Sequence, residues 1–185
     1  LHSGLHGGMA PNPLNALASV VASMKAPDGR NTIDGIEDGV RPLTEREIAE
    51  VAAIPFDEAE YARSIGIDAP VGDPEYSPLE RNWLRPTFDL NGIWGGFQGA
   101  GSKTVIPREA HAKITIRLVP DQDPAQVIAA IERHVAVHCP PGVTITIQPT
   151  PGTARAYAIA PDHPALLAAK AALRASYGLD PLRIR

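Results

Sequence analysis

The sequence predicts an α+β fold, a two-layer sandwich with helices packed on one face of an antiparallel sheet. Residues 110–119 and 143–147 alternate apolar and polar side chains, as strands with one covered face do. Asn12-Pro13 and Asp123-Pro124 each read as a cap followed by a first-turn proline. The order helix, insertion, strand, strand, helix, strand, helix lets the helices cover one side of the sheet. It fits a ferredoxin-like, split βαββαβ arrangement if one further strand comes before Leu1.

Residues 1–11 are turn material, with Gly4, Gly7, Gly8 and Pro11. Leu14, Leu17, Val20, Val21 and Met24 then recur at helical spacing, and Pro27-Asp28-Gly29 stops that helix. Residues 30–86 have the look of an insertion. Within it, Thr44 and Glu47 match a capping box for a short helix through about Val51. Asp57 caps a second helix that Gly66 ends, and residues 66–78, with three prolines, are expected as loop.

Residues 87–97 have strand composition, although the alternation breaks at Asn91-Gly92. A Gly-rich turn follows. In 110–119, Ala112, Ile114, Ile116 and Leu118 form one face and His111, Lys113, Thr115 and Arg117 the other. Val127, Ile128, Ile131 and Val135 mark an amphipathic helix, which Pro140-Pro141-Gly142 breaks. Val143, Ile145 and Ile147 mark a strand, with a short further one possible near residues 156–159. A last helix spans about 164–177, stopped by Gly178.

Bulk properties exclude several function classes. Of 185 residues, 44% are hydrophobic, enough for a core, and the formal net charge of -4 gives no reason to expect nucleic acid or an anionic membrane. No run approaches the roughly 18 apolar residues of a membrane span. No signal peptide is visible, and the single cysteine, Cys139, excludes an internal disulfide and is compatible with a cytoplasmic protein.

Motifs for chemistry are sparse. Residues 96–104 approach a phosphate-binding loop, but Ser102 separates the glycine from Lys103 and a strand follows where a helix is required. A flexible turn between strands is the better reading. His2 with His6, and His134 with His138, are four apart. The first pair sits among glycines, where a helix is not expected. The second has no third ligand at useful spacing, so solvated surface histidines are expected. Cys139 reads as a small residue at a helix end rather than a nucleophile. Arg117, on the polar face of a strand, could fork onto a carboxylate or be an ordinary surface arginine.

Three segments carry a resemblance. They are Leu1-His2-Ser3-Gly4-Leu5-His6-Gly7-Gly8 with Pro11-Asn12-Pro13; Asn91-Gly92-Ile93-Trp94-Gly95-Gly96 running on through Gly101-Ser102-Lys103-Thr104-Val105-Ile106-Pro107; and Ala112-Lys113 through Ile116-Arg117-Leu118-Val119-Pro120. In this order they resemble the lid, or dimerisation, region of the dinuclear zinc exopeptidases, in their carnosinase-like dipeptidase branch. The insertion, with Pro42-Leu43-Thr44 and Phe56-Asp57, resembles that branch too.

The resemblance implies a lid with its insertion over residues 1–160 and, at 161–185, a helix returning to a catalytic domain. It implies a homodimer in which one lid completes the neighbour's site. His2 matches a histidine that reaches the partner's active site and helps hold the oxyanion, Thr104 a threonine that contacts substrate, and Arg117 an arginine that binds its terminal carboxylate. The family's two zinc ions, or manganese, are held by an H-x-D motif, a Glu-Glu pair and other residues that are not in this sequence. The chain alone is therefore expected to hold no metal and hydrolyse nothing, while the parent cleaves short peptides or N-acyl amino acids. In relatives a strand immediately precedes the L-H-S-G turn, so the cut is expected within the lid. An alternative is a stand-alone α+β interaction module with the same fold.

Overall fold

A computed structural model describes residues 1–184; Arg185, the end of the expected terminal segment, lies outside the described residues. The elements are α1 (Ser3–His6), α2 (Pro13–Ala22), α3 (Glu45–Ala52), α4 (Glu58–Ile65), α5 (Pro78–Leu84), β1 (Thr87–Gly95), β2 (Ala110–Arg117), α6 (Pro124–His138) and α7 (Pro164–Tyr177).

Most helix ends follow their capping chemistry. Asn12 Oδ1 accepts from Leu14 N at 3.0 Å and Asp123 Oδ1 from Ala125 N at 2.9 Å. Each satisfies an otherwise orphaned first-turn donor, with proline occupying the position that needs none. Thr44 and Glu47 close a capping box on α3. Asp57 caps α4, and Gly66 ends it at φ 75°, a left-handed conformation that suits glycine. A third helix of the insertion, α5, stands at the end of the expected loop. Ser77 and Glu80 cap it as a box with Pro78 in the first turn.

The hairpin β1–β2 is antiparallel and pairs Thr87 with Arg117 and Gly95 with Ala110. Its register slips between Leu90 and Gly92, leaving a bulge at Asn91. That bulge is the physical cause of the broken alternation in the sequence. Phe88, Ile114 and Ile116 face the helices and join a core with Val20 and Met24, Ile33 and Ile36, and Val127, Ala130 and Val135 of α6.

The expected strand at 143–147 forms no ladder among the described residues. Its side chains still alternate half-buried and exposed, and Ile145 and Ile147 pack on the core. A strand needs a neighbour for its backbone groups; β1 pairs one edge of β2, and no strand flanks 143–147. The stretch at 156–159 is likewise no strand.

Candidate functional site: the lid turn

The first residues lie against the loop that enters β2. Leu1 N donates to Ile106 O, and Ile106 N donates back to Leu1 O, both at 2.9 Å. Ser3 N donates to Thr104 O at 3.2 Å, and His2 pairs with Val105 as an antiparallel bridge. This backbone pairing sets two side chains 102 positions apart in sequence side by side: His2 Nε2 lies 3.1 Å from Thr104 Oγ1.

The ring is oriented from its other nitrogen. His2 is the N-cap of the one-turn helix α1, and its Nδ1 accepts from Gly4 N at 3.0 Å. In the neutral ring Nδ1 therefore carries the lone pair and Nε2 the proton. Nε2–H donates to Thr104 Oγ1, which leaves the threonine hydroxyl proton free to point outward. Both residues are exposed. The glycine-rich turn, read from sequence as too irregular for helix, thus holds a helical turn because the histidine caps it. A shallow depression beside the pair is lined by Gly96, Phe97, Lys103, Val105, Pro107 and Arg108.

Arg117 stands elsewhere. It is exposed on the uncovered face at the far end of β2, opposite Thr87. Seven residue steps separate it from Ala110, about 23 Å of extended chain. No ion pair or hydrogen bond holds its guanidinium among the described residues. The structure brings His2 and Thr104 together and leaves Arg117 at the opposite end of the hairpin.

The outer face between them carries Trp94 stacked on His111, ring centroids 5.1 Å apart, with Lys113 Nζ 5.8 Å from the Trp94 centroid. Residues 96–104 run through a loop toward β2 and not into a helix, so no helix terminus backs a phosphate. Cys139 is the half-buried C-cap of α6. Among the described residues no three His, Cys, Asp or Glu side chains converge as a metal site. His134 departs from expectation: it is buried, because it shares the apolar helical face of Val127 and Ala130. Its spacing from those residues was the signal available in sequence.

A family model for the peptidase dimerisation domain matches residues 1–143. The chain belongs to this family. The domain is 35% identical over 134 residues to the Cys-Gly metallodipeptidase DUG1 of Saccharomyces cerevisiae, a match covering 72% of the chain and 28% of that protein. It is 33% identical over 195 residues to human Beta-Ala-His dipeptidase, covering 100% of the chain and 37% of the relative. The crystal structure of human carnosine dipeptidase 1 superposes over 100% of the domain and 40% of that chain, with a TM-score of 0.80 and 32% identity. The domain therefore spans between about a quarter and two fifths of the length of these relatives. They bear out the α+β fold and the expected family.

Proposed function

We propose that this dimerisation domain is the lid of a metal-dependent dipeptidase and completes the active site of a partner subunit. The observation that carries this reading is the exposed His2–Thr104 pair: Gly4 N orients the ring, its Nε2–H donates to Thr104 Oγ1, and the threonine hydroxyl is thereby offered as a donor to a ligand oxygen. Such donors, fixed before reaction, stabilise charge that develops on a scissile carbonyl oxygen. The dipeptidase names of the relatives support a short peptide, or an N-acyl amino acid, as the substrate. The metallodipeptidase name of a relative supports metal use by the parent protein, where two zinc ions, or manganese, would activate a water and polarise the scissile carbonyl.

The separation of Arg117 from the pair argues for a dimer. Two extended residues span about 7 Å, so one dipeptide cannot reach both ends of a hairpin strand about 23 Å long. A substrate held by Arg117 at its carboxylate and by His2 and Thr104 at its carbonyl must use two protomers. The split βαββαβ reading draws on the same backbone pairing. A strand continuing back from Leu1 in the Leu1–Ile106 register would run along the edge of β2 that β1 leaves free. The lid then occupies residues 1–160, with α7 packing on a catalytic domain. A cytoplasmic location fits the single cysteine; no helix among the described residues is long and apolar enough to cross a membrane.

The test mixes two variants of the full-length peptidase that carries this domain. His2→Ala and Arg117→Ala homodimers are each expected to be nearly inactive. Subunit exchange should restore about a quarter of the original activity, because half the dimers become mixed and one of their two sites is whole. No recovery on mixing would overturn the reading.

A further inference from the structure

His134 on α6 is 6% exposed, and its Nε2 lies 2.9 Å from Ser23 Oγ at the C-cap of α2. Ser23 spends its one hydroxyl proton on Val20 O at 2.7 Å. The contact to His134 can then be made only by an Nε2–H donor, which places the lone pair of the neutral ring on Nδ1. One turn later, His138 donates from Nδ1 to His134 O at 2.8 Å, and the two rings stack with centroids 4.0 Å apart. Ser23 O accepts from Thr32 Oγ1, and Met24 O from Thr32 N at 3.1 Å. Ser23 is thus where α2, α6 and the entrance to the insertion meet.

We propose that His134 makes the α2–α6 seam a pH-operated latch: its Nε2–H stays on Ser23 Oγ in either protonation state, but a second proton at Nδ1 places a charge without a counter-charge in the seam, which favours its opening.

Ser23 Oγ still accepts from the ring when it is charged, but the surroundings give an imidazolium no counter-charge. From Pro13 to Met24 the chain has no charged residue, and Asn31, Thr32 and Ile33 add none. Lys25 is exposed, in the turn where it bridges to Asn31. On α6 itself Glu132 and Arg133 are exposed, and the one titratable group facing the ring is His138, whose own charge would repel. Burial first, and His138 second, hold the pKa of His134 below its ordinary value of 6.5. The sign follows. The unfolded chain takes up the proton near 6.5 and the folded chain only below that. Stability is therefore unaffected above 6.5 and falls as pH drops toward the folded pKa.

The test follows urea unfolding and amide exchange of residues 20–24 in the full chain from pH 7.5 to 5, comparing it with His134→Gln. Glutamine places an amide donor near Nε2 and does not titrate. The unfolding constant of the original chain should rise with acidification by up to about tenfold per pH unit more than that of H134Q. Faster opening of residues 20–24 should accompany it. Equal pH slopes for the two proteins would overturn the latch. Should H134Q fail to fold, NMR titration of the His134 ring in the original chain decides: protonation below 6.5 supports the latch, and protonation at or above 6.5 removes it.

Discussion

Gln122 ties the insertion to the sheet by one side chain: its Nε2 donates to Ile36 O at 2.9 Å and its Oε1 accepts from Val119 N at 3.1 Å. The residue is 1% exposed and joins positions 86 apart in sequence. Gln122→Leu keeps the volume and strands a buried carbonyl and a buried amide. Each unsatisfied group costs roughly 1–3 kcal/mol. We expect a loss of about 2–4 kcal/mol in urea unfolding, with Ile36 and its neighbours exchanging amide protons faster. A loss below about 1 kcal/mol would show that water replaces both partners.

Gly4 controls His2. A Cβ on Gly4 would come 2.9 Å from His2 Cε1 and 3.2 Å from Nδ1. The ring is the mobile party, so Gly4→Ala should turn it away from Thr104 and leave the fold intact. In the full-length peptidase we expect kcat to fall at least about tenfold, with unfolding stability within about 0.5 kcal/mol of the original. Retained kcat would mean that His2 Nε2 need not be held where Gly4 N puts it.

These two sites differ in how far the sequence foretold them. Helix starts were legible because their chemistry is local: Asn12, Asp57 and Asp123 cap within three residues of themselves. Ser77-Pro78 with Glu80 carry the same signal for α5, which begins where the expected loop 66–78 ends. The strand at 143–147 was legible as a pattern but not as a ladder, since pairing depends on what lies alongside. His2 and Thr104 were singled out by resemblance, yet their contact depends on a backbone pairing across 102 residues that no local spacing reveals. His134 escapes a search for metal-ligand spacing because its place is set by the apolar face of α6 that it shares with Val127 and Ala130.

Arg41 and Glu47 predict how the insertion starts to fail. Glu47 is 4% exposed, forms part of the α3 capping box and receives two guanidinium nitrogens from Arg41, one at 2.7 Å. The pair holds the Arg41 pKa above its ordinary value, the hydrogen bond to Glu47 being the main cause. Arg41→Ala removes the guanidinium from a buried carboxylate. Because the arginine side chain is half exposed, the cost is discounted to about 1–2 kcal/mol. Hydrogen exchange should place the loss in α3, with β1 and β2 protected as before. A loss spread evenly over the sheet would instead mean that the insertion and core open as one unit.

Ala130 tests the packing of the helical layer. It is 0% exposed on α6, within the core cluster that joins Val20, Met24 and Phe88. A close-packed interior has no room for three further carbons at such a point. Ala130→Leu should force α6 away from its neighbours and cost about 1–3 kcal/mol. It should also separate His134 from Ser23, since His134 lies on the face of α6 that moves and Ser23 ends α2. The ring of His134 would then gain water and protonate nearer pH 6.5 than in the original chain, which NMR titration reads directly. An unchanged titration alongside lost stability would show that the strain relaxes into the sheet instead of the α2–α6 contact.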